Sequence, residues 1–191
     1  MMAAARRKQA VRARLPVVPN RSDNRSALTA SLGSSNTRNY FTQFAQQWTA
    51  AAAALKLELR PMEVRRHEEL RAVFRAAHQA HADAIVLVGD PLVFRHRMHI
   101  HDLAAEYRLP TFQPTKEYLA GRGLLSYGPS LDDLVARAAV YVDRILRGGT
   151  PARLPVEQPR RYDLVVNLKA AKALGLTIPP SVLLRADEII E

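Results

Sequence analysis

Three short stretches hold the residue types that could cradle a small ligand. They are Gly89-Asp90-Pro91, Gln113-Pro114-Thr115 and Tyr127-Gly128-Pro129-Ser130. Each follows an apolar run and sets a polar capping residue beside a proline, the pattern of a strand exit turning into a helix. Such turns expose backbone N–H groups and the positive ends of helices, which suit a carboxylate or another anion. Glycine lets the backbone approach a ligand closely. Tyr127 adds an aromatic face and a hydroxyl for an apolar or ring-bearing ligand. Ser130 and Asp133 have the spacing of a capping box. In parallel α/β sheets, ligands bind outside the carboxyl ends of the strands. The three turns therefore predict one ligand-holding edge, with Asp90, Tyr127 and Gly128 side by side.

Other chemistry finds little support. His96, His99 and His101 crowd one segment, with His78 and His81 upstream, but no spacing favours a metal over solvated helix histidines. Glu157, Asp163 and the Asp132-Asp133 pair fit caps and solvated faces better than a general acid and base. Neither GxGxxG nor GxxxxGK[ST] occurs, so the sequence predicts no nucleotide cofactor. With no cysteine, thiol catalysis and disulfides are excluded. The expectation is a binding protein without metal or cofactor, and not an enzyme.

The elements that would position these turns follow a regular rhythm. "LKLELRPMEV" alternates leucines with charges as a strand does, and "HEELRAVFRAAHQAH" carries Leu70, Val73, Phe74 and Ala77 on one helical face. "ADAIVLVGD" holds a continuous apolar run, as a buried parallel strand should. After it come helix "RHRMHIHDLAAEYR", strand "LPTFQ", helix "TKEYLAG" and strand "LLSYG". "SLDDLVARAAVYVDRILRGG" is an amphipathic helix stopped by Gly148 and Gly149. The tail adds strand "YDLVVNL", a helix ending at Gly175, and a last edge piece. The alternation predicts an α/β fold, an open parallel sheet with helices on both faces.

The net charge of +10 lies mostly in the first 40 residues, which carry eight Lys/Arg against one Asp. The body is nearly balanced, so no specific nucleic-acid partner is expected. Residues 1–38 read as a disordered basic arm and 39–191 as one domain; regular structure is expected from Tyr40, with Phe41, Phe44, Trp48 and Ala52 on one helical face. In residues 1–19 the apolar stretch is broken by Arg12, Arg14 and Pro16, which argues against an intact signal peptide and for a cytoplasmic chain.

From about residue 82 onward the sequence resembles the carboxyl-terminal half of bacterial ABC transporter substrate-binding proteins, in the branch with tryptophan- and aromatic-amino-acid-binding members. "YGPS", "LPVEQP", "NLKAAKALGL" and "IPPSVLLRADEIIE" carry the resemblance in that order. It implies a Rossmann-like lobe of the type I periplasmic binding proteins, two lobes in the family, a small solute such as an amino acid between them, and a membrane permease as partner. It implies a periplasmic or lipid-anchored setting. It assigns Asp90, Tyr127, Gly128 and, less directly, Glu117 as ligand contacts, and sets residues 153–191 near the hinge. No counterpart of the first lobe is found, so a truncated second lobe is expected, prone to self-association through surface that the other lobe would cover. The alternative is the ligand-sensing core of a transcription regulator, which reuses the same fold.

Overall fold

The computed structural model describes residues 48–119 and 121–191 in full and residues 27–34 as backbone. Seven strands form one sheet: β1 (Ala27–Ser34), β2 (Leu57–Val64), β3 (Ala84–Leu87), β4 (Thr111–Gln113), β5 (Leu125–Pro129), β6 (Tyr162–Asn167) and β7 (Glu188–Ile190). Their order is β2-β1-β3-β4-β5-β6-β7. Helices α1 (48–54) and α2 (Leu70–Gln79) follow β1 and β2. Next come α3 (Pro91–Arg95), α4 (Arg97–Glu106), α5 (Lys116–Leu119), α6 (Leu131–Leu146), α7 (Leu168–Leu174) and α8 (Pro180–Leu183). The expected α/β class is what forms.

The core divides between the two faces of the sheet. On one, α2 and α4 press Leu70, Phe74, Ile100 and Leu103 onto Ile85 and Leu87 of β3, and all six are at most 1% exposed. Full burial of such a side chain contributes about 1.5–3 kcal/mol, so this face anchors the domain. On the other, α7 and α8 cover Leu125 and Val166 with Ala171, Ile178 and Val182. Asn167 starts α7 by accepting the Ala170 N–H at 3.0 Å, and Gly175 ends it at φ 71°. Glycine adopts that left-handed geometry without strain.

Three expectations are corrected. First, the unstructured arm does not run to residue 38. Ala27–Ser34 is β1, paired in parallel with β2 on one side and β3 on the other. Small and polar residues suffice there because both neighbouring backbones satisfy the strand's N–H and C=O groups. Residues 1–26 and the proposed helix start at Tyr40, Phe41 and Phe44 lie outside the described residues.

Second, the sheet is not wholly parallel: β6 runs antiparallel to β5. The cause is α6. A crossover helix that packed back over the sheet would return the chain parallel. α6 instead leaves the carboxyl edge at Ser130 and the chain comes back to that edge at Arg161, whose carbonyl accepts the Ser130 N–H at 3.0 Å. Third, Ser130 makes no side-chain cap on α6, so the expected capping box with Asp133 does not form. The Ser130 hydroxyl serves Asp163 instead.

Candidate functional site

Strand order defines where a ligand would sit. The chain steps from β1 outward to β2, then crosses back to β3 on β1's other side. A crevice opens at such a reversal, outside the carboxyl ends of the two strands. Val88-Gly89-Asp90 leaves β3 at that point. The loop that leaves β1 lies outside the described residues, and reading residues 1–38 as an arm missed it.

Asp90 is 3% exposed and caps α3, its Oδ1 accepting the Val93 N–H at 2.9 Å. Pro91 follows at the first helical position, where its missing N–H costs nothing. The Asp90 carbonyl accepts the Tyr118 hydroxyl at 3.3 Å. Burial, and next the Asp90 charge, push the Tyr118 phenol above its ordinary pKa, so it stays a donor at neutral pH. A Cβ on Gly89 would stand 3.4 Å from Pro114 and 3.6 Å from the Tyr118 hydroxyl. The β3 exit is thus seated directly on the β4 exit.

The β4 and β5 exits are locked together more tightly. A Cβ on Gly128 would lie 1.7 Å from the Pro114 carbonyl oxygen, so only glycine fits. Beside them the Thr115 hydroxyl donates to the Glu117 carboxylate, which is half-buried at the start of α5. The structure therefore brings the turns bearing Asp90, Glu117 and Gly128 to one edge. Tyr127 is 60% exposed and packs on Tyr162 with ring centroids 5.9 Å apart. Sequence reasoning missed Tyr118, Thr115 and Tyr162. Tyr118 had a readable signal, an aromatic one turn past the Pro114 turn. The Tyr162 pairing depends on the antiparallel register and had none.

The charges around this edge are mostly paired. Lys116 reaches Asp132 at 2.7 Å, tying α5 to α6. Asp163 is held below its usual range: burial opposes this, but hydrogen bonds from Ser130 and Arg161 outweigh it. Among the described residues no group of histidine and acidic side chains could hold a metal ion. His101, one of the crowded histidines, is buried with its Nε2 against the Tyr118 carbonyl at 2.8 Å, and burial lowers its pKa. The carbonyl must accept, so Nε2 carries the proton of a neutral ring.

α6 stands apart from all of this. None of its 16 residues is buried. Beyond the Lys116–Asp132 pair, its polar contacts with the body are with the returning chain: Tyr141 donates to the Pro155 carbonyl at 2.6 Å and Arg137 pairs with Glu157. Leu131, Val135, Val142, Ile145 and Leu146 are exposed, Leu146 at 81%. Among the described residues no helix is long and apolar enough to cross a membrane.

The family model that matches is "ABC transporter substrate binding protein", over residues 30–190. No curated protein matches the chain. Among solved structures, the ABC domain in complex with L-Trp from Streptococcus pneumonia is similar at 25% identity and TM-score 0.77, covering 85% of this chain and 55% of that one. A conserved domain protein from Vibrio cholerae is similar at 24% identity and TM-score 0.79, with 91% and 56% covered. The ligand-free, open structure of a substrate-binding protein with adhesive properties from Clostridium difficile is similar at 16% identity and TM-score 0.64, with 87% and 55% covered. The chain spans just over half the length of these solved structures.

Proposed function

This chain belongs to the ABC transporter substrate-binding protein family, and on that premise we propose that it supplies one wall of a binding site for a small solute, an amino acid, delivered to a membrane permease. The observation that supports this most directly is the interlocked carboxyl edge, where the β3, β4 and β5 exits touch one another beside the strand-order reversal. The Glu117 carboxylate suits an ammonium group, the exposed Tyr127–Tyr162 pair suits an apolar or aromatic side chain, and loop N–H groups suit a carboxylate. Asp90 works by fixing the β3 exit through its cap. Gly128 works by letting the β5 exit meet the β4 exit. The family match speaks for transport over the transcription-regulator reading, and the family is a class of binding proteins, not of enzymes.

A ligand on this edge alone would be open on its other side, while tight capture buries about 70–90% of a ligand's surface. The exposed stripe of α6 stands off the same edge, so polypeptide that packs on α6 would also stand over the loops. We infer that a second copy of the chain associates there when nothing else covers the helix.

The test is amide chemical-shift mapping with L-tryptophan and a panel of other amino acids. The expected result is weak, saturable binding with shifts confined to Gly89–Asp90, Thr115–Glu117 and Tyr127–Gly128, reduced in Glu117→Gln and Tyr127→Ala. Shifts at the opposite edge of the sheet, or micromolar binding by a monomer, would overturn the reading.

A further inference from the structure

At the edge of the sheet opposite Asp90, α4, α7 and the entrances of β4 and β5 leave a notch of about 130 Å³. That is room for about four waters at ~30 Å³ each, or for an organic molecule of similar bulk. Its lining is mostly small and apolar, with buried Ala104, half-buried Ala170 and Leu174, and Ala173 at the outside. Arg108 and Arg122 stand at the rim, and buried His101 forms part of the wall.

Arg108 sets the charge of the rim; its backbone takes the same left-handed turn past a helix end as Lys56 after α1 and His81 after α2. It occupies the left-handed position just past the end of α4, at φ 53°, where the following Leu109 N–H closes on the Ala104 carbonyl at 2.9 Å. Glycine is the residue that takes this geometry freely. An arginine held there costs stability, and its guanidinium makes no ion pair among the described residues. Arg122 is already paired with Asp102, so the rim keeps about one positive charge. The carbonyl ends of α4 and α7 oppose an anion, but each carries only about half a charge. They are also partly closed by the N–H groups of Arg108, Leu109 and Leu176. A full guanidinium charge at the rim outweighs them. Beyond the guanidinium groups the lining is mainly alanine and leucine, which match a short alkyl chain.

We propose that this notch is a second binding site, for a short aliphatic carboxylate of about four carbons, its charge on Arg108 and its alkyl part against Ala104, Ala173 and Leu174. The site is separate from the carboxyl edge and does not depend on what binds there.

Butyrate is the probe, titrated into the full chain and followed by amide chemical shifts, with n-butylammonium as the charge-reversed control. Saturable shifts at Ala105, Arg108 and Ala173, with a Kd in the millimolar range, are expected for butyrate and not for butylammonium. Arg108→Gly relieves the backbone strain, so it should melt at the same or a higher temperature while binding butyrate roughly tenfold more weakly. Arg108→Lys should keep part of the affinity. Equal binding by Arg108→Gly, equal response to butylammonium, or no saturable shift with butyrate would each overturn the site.

Discussion

α2 and α6 are both amphipathic in sequence, and they meet opposite fates. α2 sends Leu70, Phe74 and Ala77 into the core with no measurable exposure. α6 has a longer apolar stripe and buries nothing. The difference lies in how each helix is connected. α2 joins β2 to β3 across the sheet and must lie on its face. α6 leaves and rejoins at the carboxyl edge, so the sheet never passes beneath it. Periodicity announces that a helix has an apolar face, and only topology says whether this domain supplies the surface for it.

The contrast is sharpest in truncation experiments. Phe74→Ala should cost about 3–5 kcal/mol in chemical denaturation, because it empties a fully buried ring site between α2 and the sheet. A loss under about 1 kcal/mol would mean that the α2 face is not the anchor described here.

Next in size is Gly128→Ala. The added methyl would collide with the Pro114 carbonyl, a backbone atom that cannot swing aside. Overpacking of this kind costs about 1–3 kcal/mol. Amide shifts should spread from Gly128 to Pro114–Glu117, and amino-acid binding should fall with stability. Asp90→Ala should cost about 1 kcal/mol through loss of the α3 cap. Asp90→Asn, which keeps an accepting oxygen, should recover most of it. If Asp90→Asn restored the fold but not ligand binding, Asp90 would be a ligand contact as well as a cap.

Titration offers a milder probe of the same packed side. Burial lowers the His101 pKa, so the unfolded chain binds the proton more readily. Stability is therefore fully present above the ordinary histidine pKa of about 6.5 and declines as pH falls through and below it. His96 shifts the same way, chiefly through burial and then through His67, whose ring is stacked on it at 4.8 Å. The denaturation midpoint should drop between neutral and mildly acid pH, and less in His101→Gln. A flat profile for the parent chain would show that neither ring is held neutral by the fold.

These contrasts also mark what the sequence could say. β3, β5 and α2 announce themselves through apolar runs or helical period, and the Asp90-Pro91 cap is visible as a dipeptide. The three exit turns were legible as turns. Their interlocking was not, because the Gly128–Pro114 contact depends on strand order. β1 was illegible for a different reason. "ALTASLGS" has no apolar run or strong alternation, and a central strand can rely on its neighbours' backbones. Missing β1 concealed the strand-order reversal beside Asp90. Ser130 and Asp133 have the right spacing for a capping box, yet Asp163 on the antiparallel β6 takes the Ser130 hydroxyl instead. Short-range spacing cannot foresee a competitor 33 residues further along the chain.

The smallest effect on folding belongs to α6, and it carries the most information. Val135 is 71% exposed and Val142 55% exposed. Replacing both with Asp should change unfolding free energy by no more than about 0.5 kcal/mol per site, as for surface positions without partners. Association should respond very differently. Contiguous exposed apolar patches beyond a few hundred Å² tend to drive contacts between molecules. Asp132 and Asp143 beside the stripe are already paired with Lys116 and Arg147, so two new carboxylates within it would be unpaired charges that a second α6 would have to desolvate. Sedimentation or light scattering of the parent chain should show concentration-dependent self-association that the double variant lacks. The two chains should keep identical denaturation midpoints when dilute. If the parent chain is a monomer at all concentrations, the stripe is not covered by a second copy. If instead Val135→Asp costs as much as a core truncation, α6 has a buried face within the chain, and its contrast with α2 disappears.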